Sequence, residues 1–374
     1  MEGGDGTAGS VRTQGRRRGL RVGVAVLAAA GLVWFLVVER DQVLAAVDLL
    51  VGADPVWIAV GSVSSILSIV VFAAVRSVLV GASGARFPLG RATTASFASG
   101  AIAATLPAGG AIATGYMVQR YREAGADGGA AAWATIATGV VAPTVLVFMT
   151  LTGYALAGED PSVAVAPTLV AGTLLVAFFV VARRPGLLRA PARIAVGSWS
   201  GIRRQIRGRP AREPGSLHDL HDLHDLHDLH DQADRAADRF VASFGAVHAG
   251  LGRWSAAWAL QVLSWFGEFV SLVAAVAATG GSIPSDPATW GWLLAVYGTA
   301  QLAGAIPIIP GGAGQVEAAL VVGLTATGTD ASTALAASVA FRLMSHWLVV
   351  PIGWVCVAAL RRQGADVPRR PTAA

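Results

Sequence analysis

Six unbroken apolar runs, at 20–38, 55–80, 130–157, 164–182, 254–279 and 333–360, match the roughly 20 residues that an α-helix needs to cross a bilayer. In hydrocarbon every backbone N–H and C=O must find its partner within the protein. That leaves helices or closed barrels, and runs of this length read as helices. The composition agrees, since 54% of the 374 residues are hydrophobic and 14% charged, a balance unlike that of a soluble domain. The expected class is all-α: a polytopic integral membrane helical bundle. The first run ends at Val37, Val38 and Glu39 with no convincing small-residue cleavage site, so it reads as a retained anchor rather than a signal peptide.

Two more apolar segments, 92–118 and 290–327, are interrupted by proline and glycine. Arginine placement indicates how they thread. Arg12, Arg16, Arg17, Arg18 and Arg21 precede the first run, Arg86 and Arg91 follow the second, and Arg120 and Arg122 follow the first broken segment. Arg183 and Arg184 open the long middle loop, and Arg361 and Arg362 end the last run. All fall on one side if each broken segment enters and leaves by the same face, and the positive-inside rule makes that side cytoplasmic, with both termini. The opposite loops hold Glu39, Asp41, Asp48, Asp54, Glu159, Asp160, Asp286 and Asp330, with Arg40 as their only basic residue. The expectation is six full spans plus two broken re-entrant hairpins. Span, hairpin, span from one face and then from the other make an inverted repeat, and the related strings LPAGGAIATGY (106–116) and IPGGAGQVEAA (309–319) mark its two breaks.

Backbone broken at membrane depth is tolerated only where it is buried in protein or lines a wet cavity. Pro107, Gly109 and Gly110 in the first break, and Pro310, Gly311, Gly312 and Gly314 in the second, are therefore candidate substrate-binding or transport positions. A helix restarts after each break, and its free N–H groups, reinforced by its dipole, favour an anion. Glu317 lies in the first turn of the second restart. Two readings stand: its carboxylate caps those N–H groups, or it binds a cationic head group or a proton during transport. Glu268 and Arg342 fall near the middle of their spans, where a bare charge is expensive. Each needs a partner, and Glu268 with Arg342 or Glu317 with Arg342 are the candidate couples, with a purely structural ion pair as the alternative role. His346 follows Arg342 on the same helical face. Arg76, near the inner end of its run, is expected to snorkel towards the interface. Trp57, Trp254, Trp258, Trp290 and Trp292 fit an interfacial belt.

No Walker phosphate loop, HExxH, GxSxG or DxD pair is present, so no catalytic residue is assigned and no cofactor is expected. The single cysteine, Cys356, excludes an internal disulfide and a Cys-rich metal site. The basic residues are all arginine, and the net charge of +5 is weak support for nucleic acid, which is not an expected partner. The chain divides into a basic tail (1–19), an N-terminal membrane half (20–182), a linker (183–253), a C-terminal membrane half (254–362) and a second tail (363–374). Within the linker, the arginine-rich stretch 183–212 carries Leu187, Leu188, Ile194, Trp199, Ile202 and Ile206. It lies along an anionic leaflet or is simply a solvated basic linker. The LHD repeat at 217–231 offers His and Asp, but a three-residue period drifts around a 3.6-residue helix and no face collects its histidines. It reads as a low-complexity linker with no metal site.

PGGAGQVEAAL followed by GTDASTALAASVAFRLMSHWLVVPIGW resembles the C-terminal signature of the flippase-like family, also called the lysylphosphatidylglycerol synthase transmembrane-region family. More loosely, VRSVLVGASGARFPLGRATTASFASGAIAATLPAGGAIATGYMVQRYREAG is similar to that family's arginine-containing second span, its first hairpin and its basic exit. The resemblance covers about 20–362. It implies a bacterial inner-membrane protein like the translocating half of the multiple peptide resistance factor, which moves aminoacylated phosphatidylglycerol between leaflets. Gly311, Gly312, Gly314, Glu317 and Arg342 match the family pattern, Glu268 more weakly. The chain departs from it where Ala111 to Gly115 replace the usual Gly-Asp and nearby Arg, and where Trp133 to Val141 carry no arginine. Nothing in these residues resembles the soluble aminoacyl-transfer domain, so neither lysine transfer nor that particular lipid follows. The expected function is a lipid translocase, not an enzyme, with membrane lipids and a lipid-modifying enzyme as partners. The rivals are a membrane enzyme or accessory subunit in polyprenyl-linked glycan or lipid synthesis, and a scaffold acting through the arginine-rich loop.

Overall fold

The computed structural model describes residues 51–106, 108–158, 234–305 and 314–365, with scattered residues between 169 and 189. The run at 20–38, most of 164–182, the LHD repeat, and Pro107, Pro310, Gly311 and Gly312 lie outside the described residues. The described chain is helical, without strands among the described residues: α1 (Pro55–Val80), α2 (Leu89–Thr105), α3 (Gly109–Glu123), α4 (Gly128–Ala157), α5 (Leu251–Ala278), α6 (Pro287–Gly304), α7 (Gln315–Ala326), α8 (Ala331–Arg342) and α9 (Val349–Ala365). Four stretches are long and apolar enough to cross a membrane, Pro55–Ser83, Gly128–Ala157, Leu251–Ala278 and Ala331–Leu360, and they match four of the expected runs. Aspartate caps four helix starts. The side chains of Asp54, Asp127, Asp286 and Asp330 accept from free N–H groups of α1, α4, α6 and α8.

α1 and α5 form the central antiparallel pair. The Asp54 N–H donates to the Ala278 carbonyl at 3.0 Å, Ser64 Oγ to the Gly267 carbonyl at 2.6 Å, and Ser264 Oγ to the Ser68 carbonyl at 3.0 Å. As one helix ascends, the other descends. These are the equivalent first spans of the two halves, so their opposed direction is what an inverted repeat demands. The remaining partners are exchanged between halves, α2 packing on α9 and α6 on α4. Small residues allow the close approach: a Cβ on Gly153 would lie 2.6 Å from the Ala295 nitrogen, and one on Gly291 2.6 Å from the Ala157 nitrogen.

Each broken segment is a helix hairpin whose outer ends share one end of the bundle. Phe87, before α2, meets Tyr121 near the end of α3, ring centroids 5.5 Å apart, in a core with Leu79, Val80, Ala126 and Ala130. The first hairpin (α2 and α3) thus opens at the Val80 end. The second (α6 and α7) opens at the Ala278 end, where Val276, Thr289, Thr327 and Thr333 line a common cavity. Because α1 and α5 are antiparallel, these are opposite ends. The arms run 12 to 18 residues, short of the roughly 20 that cross a bilayer. The two hairpins open at opposite ends of the bundle.

One expectation is refined and one corrected. The run 333–360 lies in the helical stretch Ala331–Leu360, within which Leu343–Trp347 form a π turn, with the Leu348 N–H donating to the Leu343 carbonyl at 2.9 Å. Pro351 supplies the reason, since it has no N–H to return to the carbonyl four residues back and its ring crowds that carbonyl. Arg76 does not snorkel: its Nη1 turns inward to Ser96 Oγ on α2 (3.0 Å) and Met117 Sδ on α3 (3.4 Å). The tryptophans also divide their surface. Trp254 stacks on buried Trp133 at 5.8 Å, and the Trp292 indole donates to the Gly323 carbonyl, so these rings are packing groups as well as belt residues.

Candidate functional site

Glu317 takes the capping role that the sequence offered and is also the partner of Arg342 in one of the two candidate couples. Gly314 ends the second break at φ 80°, a left-handed conformation open to glycine, and thereby starts α7. Three residues on, Glu317 Oε2 accepts from the Gly314 N–H at 2.8 Å, while Oε1 accepts from Arg342 Nε at 2.7 Å. The carboxylate is a helix cap and an ion-pair partner at once. Both residues are buried, with side chains 11% and 10% exposed. Ser338 on α8 donates to the Glu317 carbonyl at 3.3 Å and ties the two helices one turn away.

Helix rise sets the depth. Arg342 lies about 18 Å along α8 from Asp330, Glu317 about 14 Å from the Ala326 end of α7, and Glu268 about 15 Å from Ala278 on α5. All three starting points sit at the same end of the bundle, so the three charges share one level near half of a hydrocarbon core of about 30 Å. Tyr297, about 15 Å into α6, joins that level.

Glu268 is not the hydrogen-bonded partner of Arg342, although it lies within its electrostatic range. Its Oε2 accepts from the Tyr297 hydroxyl at 3.2 Å, and Gln301 reaches the same carboxylate. Tyr297 is fully buried and locked by Phe269, Trp265 and Phe341 at ring centroids of 5.7, 6.5 and 6.3 Å. Glu268 itself is half-buried. His346, expected on the Arg342 face, lies in the π turn within electrostatic range of Arg342 and holds a buried Nε2 without a hydrogen-bond partner among the described residues.

The first break is built alike but lacks the charges. Ala108 takes the left-handed conformation (φ 54°) that Gly314 takes in the second, and α3 starts after it as α7 does. A Cβ on Gly109 would lie 2.5 and 2.6 Å from the Ala103 and Ile102 carbonyl oxygens, so only glycine lets the chain turn back here. Gly110 is exposed, with open space beside it. At the position of Glu317, three residues past the cap, stands Ala111, and at the depth of Arg342 in α4 stands Gly139.

Sequence reasoning named Glu317, Arg342 and Glu268 but missed Tyr297, Gln301 and Ser338. Tyr297 and Gln301 are i, i+4 polar residues in an otherwise apolar hairpin arm, a signal that was available. Above the charged level, a cavity of about 340 Å³ opens at the Asp330 end, walled by Ser282, Thr289, Thr329 and Thr333 over a floor of Val276 and Leu324. Among the described residues no group of three or more His, Cys, Asp or Glu side chains is placed to hold a metal ion.

The model of the lysylphosphatidylglycerol synthase transmembrane region matches residues 21–353. The chain belongs to that family. Only the transmembrane region of the synthase is matched, over both halves and both breaks. A UPF0104 membrane protein of Methanothermobacter thermautotrophicus is 36% identical over 75 residues, 20% of this chain and 21% of the relative. The family assignment and the apolar helices make this a multi-pass membrane protein.

Proposed function

We propose that this family member is a lipid translocase that lets the polar head group of a phospholipid or aminoacyl-phospholipid cross the bacterial inner membrane while its tails stay in lipid. One observation carries the reading. Two hairpins broken at mid-depth enter from opposite ends, and the charged residues Glu317, Arg342 and Glu268 lie at one level close to the second break. Glu317 and Arg342 neutralise each other. Glu268 brings a further carboxylate, which a cationic head group or a proton satisfies during passage. Gly109, Gly110 and Gly314 form backbone walls of the crossing. The arginine-bearing end and both termini face the cytoplasm, in accord with the positive-inside rule. The protein itself performs no bond chemistry, and a lipid-modifying enzyme supplies or consumes the lipid.

The test is leaflet exchange of labelled anionic, aminoacylated and polyprenyl lipids in liposomes, with and without a proton gradient, comparing wild type with Glu268→Gln and Glu317→Gln of equal folding. Exchange that requires the carboxylates is expected. Absence of exchange for every lipid by folded wild-type protein overturns the reading and favours an accessory role in polyprenyl-linked glycan or lipid synthesis.

A further inference from the structure

Arg76 lies on α1 about 10 Å in from Ser83, at the arginine-bearing end of the bundle. Its Nη1 donates to Ser96 Oγ at 3.0 Å and to Met117 Sδ at 3.4 Å, and its guanidinium lies 4.5 Å from the centroid of the Phe72 ring. Tyr121 is within electrostatic range. Each of these neighbours is neutral: a hydroxyl, a thioether, an aromatic face and a phenol. Nε and Nη2 have no acceptor, and no carboxylate pairs with Arg76 among the described residues. Arg76 is half-buried, whereas Arg342, buried at mid-bundle, has Glu317 at 2.7 Å.

An interior cation needs a counter-charge. The rim does not provide one. Arg86, Arg91, Arg120 and Arg122 cluster at the same end, and Glu123 is taken by Arg120 at 2.8 Å. Ser96 and Met117 hold the Arg76 side chain towards the first hairpin, which leaves the Nε and Nη2 edge of a planar fork unengaged. That edge suits two oxygens of a tetrahedral anion, and the rim arginines draw such an anion to this end.

We propose that Arg76, positioned by Ser96, Met117 and Phe72, is a seat for a phosphate-class anion between α1 and the first hairpin. Its chemistry serves a lipid phosphate or free phosphate alike. Under the translocase reading it is the station where a head group is held before or after it passes the level of Glu317, and only that purpose rests on the reading. Binding does not.

The test measures binding rather than exchange. The full chain is placed in nanodiscs of phosphatidylcholine with a minority of phosphatidylglycerol, and the lipids retained after extraction are counted by native mass spectrometry. Wild type is expected to retain phosphatidylglycerol over Arg76→Gln by at least about tenfold, the scale of one charge-assisted hydrogen bond. Arg76→Lys should fall between them, and Arg91→Gln, which removes one of four rim charges but leaves the seat intact, should lose far less retention than Arg76→Gln. In a second arm, inorganic phosphate is added in neutral detergent and the unfolding midpoint is followed. A rise in wild type but not in Arg76→Gln supports the seat and assigns it to free phosphate, whereas dependence in the lipid arm alone assigns it to the head group. Equal retention and equal midpoints in wild type and folded Arg76→Gln overturn the proposal. Should Arg76→Gln not fold, Ser96→Ala keeps the charge, loosens its positioning and is judged by the same two readouts. Leaflet exchange enters neither arm, so each reading can fail while the other stands.

Discussion

Replacing Glu317 by glutamine separates its two roles. The amide oxygen of glutamine still accepts from the Gly314 N–H, so the start of α7 keeps its cap, while the charge and the acceptor facing Arg342 are both lost. Arg342 is then left with its side chain 10% exposed and without the carboxylate that lay at 2.7 Å. Removing one partner of a buried ion pair costs about 3–5 kcal/mol, most of it the penalty of the stranded charge. Glu268 moderates that penalty, because it lies within electrostatic range of Arg342 and can receive it. The expected loss is therefore about 3 kcal/mol in wild type, and about 1 kcal/mol more when Glu268 is already glutamine. The measurement is reversible unfolding in mixed micelles, run as a double-mutant cycle with Arg342→Gln, in the presence and absence of Glu268→Gln. A coupling energy below about 0.5 kcal/mol, the size of an ordinary interhelical hydrogen bond in a membrane protein, would refute the claim that this pair is buried and mutually dependent.

Gly109→Ala should destabilise the fold by about 3 kcal/mol or more, because its Cβ meets two carbonyl oxygens that no rotamer change can move. Ala108→Gly should stabilise it by up to about 1 kcal/mol, by relieving the left-handed alanine; both are read from the unfolding midpoint. Gly153→Val should force α4 from α6, lowering the midpoint and increasing proteolysis of the loop before α6, and an unchanged midpoint would show that the two helices do not approach as described. Hydrogen bonds from Ser332 and Thr333 hold the Asp330 carboxyl below the usual carboxylate range. A depressed native value means that the stabilisation is present above the unfolded value near pH 4 and is lost as the pH falls below it. Asp330→Asn should lower the midpoint at neutral pH and flatten its acid dependence, and an unaltered pH profile would remove the capping role.

The sequence by itself determined the solvent, the class and the places where helices break. Runs of spanning length admit only helices, arginine clusters mark one end, and Pro-Gly breaks mark where the helices stop, because each is a local property of backbone and bilayer. The capping aspartates were local too: each bonds N–H groups two or three residues ahead. Pairing was not local. Arg342 had two carboxylates within reach of reasoning, and only the packing of α7 against α8 assigned it Glu317, leaving Glu268 to Tyr297 on α6. Arg76 looked free to reach the interface until the first hairpin set Ser96 and Met117 against it. A side chain's partner depends on which distant helix lies beside it and in which direction that helix runs, and helical periodicity reports only the face on which a residue stands. Tertiary structure therefore decided how the charges at mid-depth are shared.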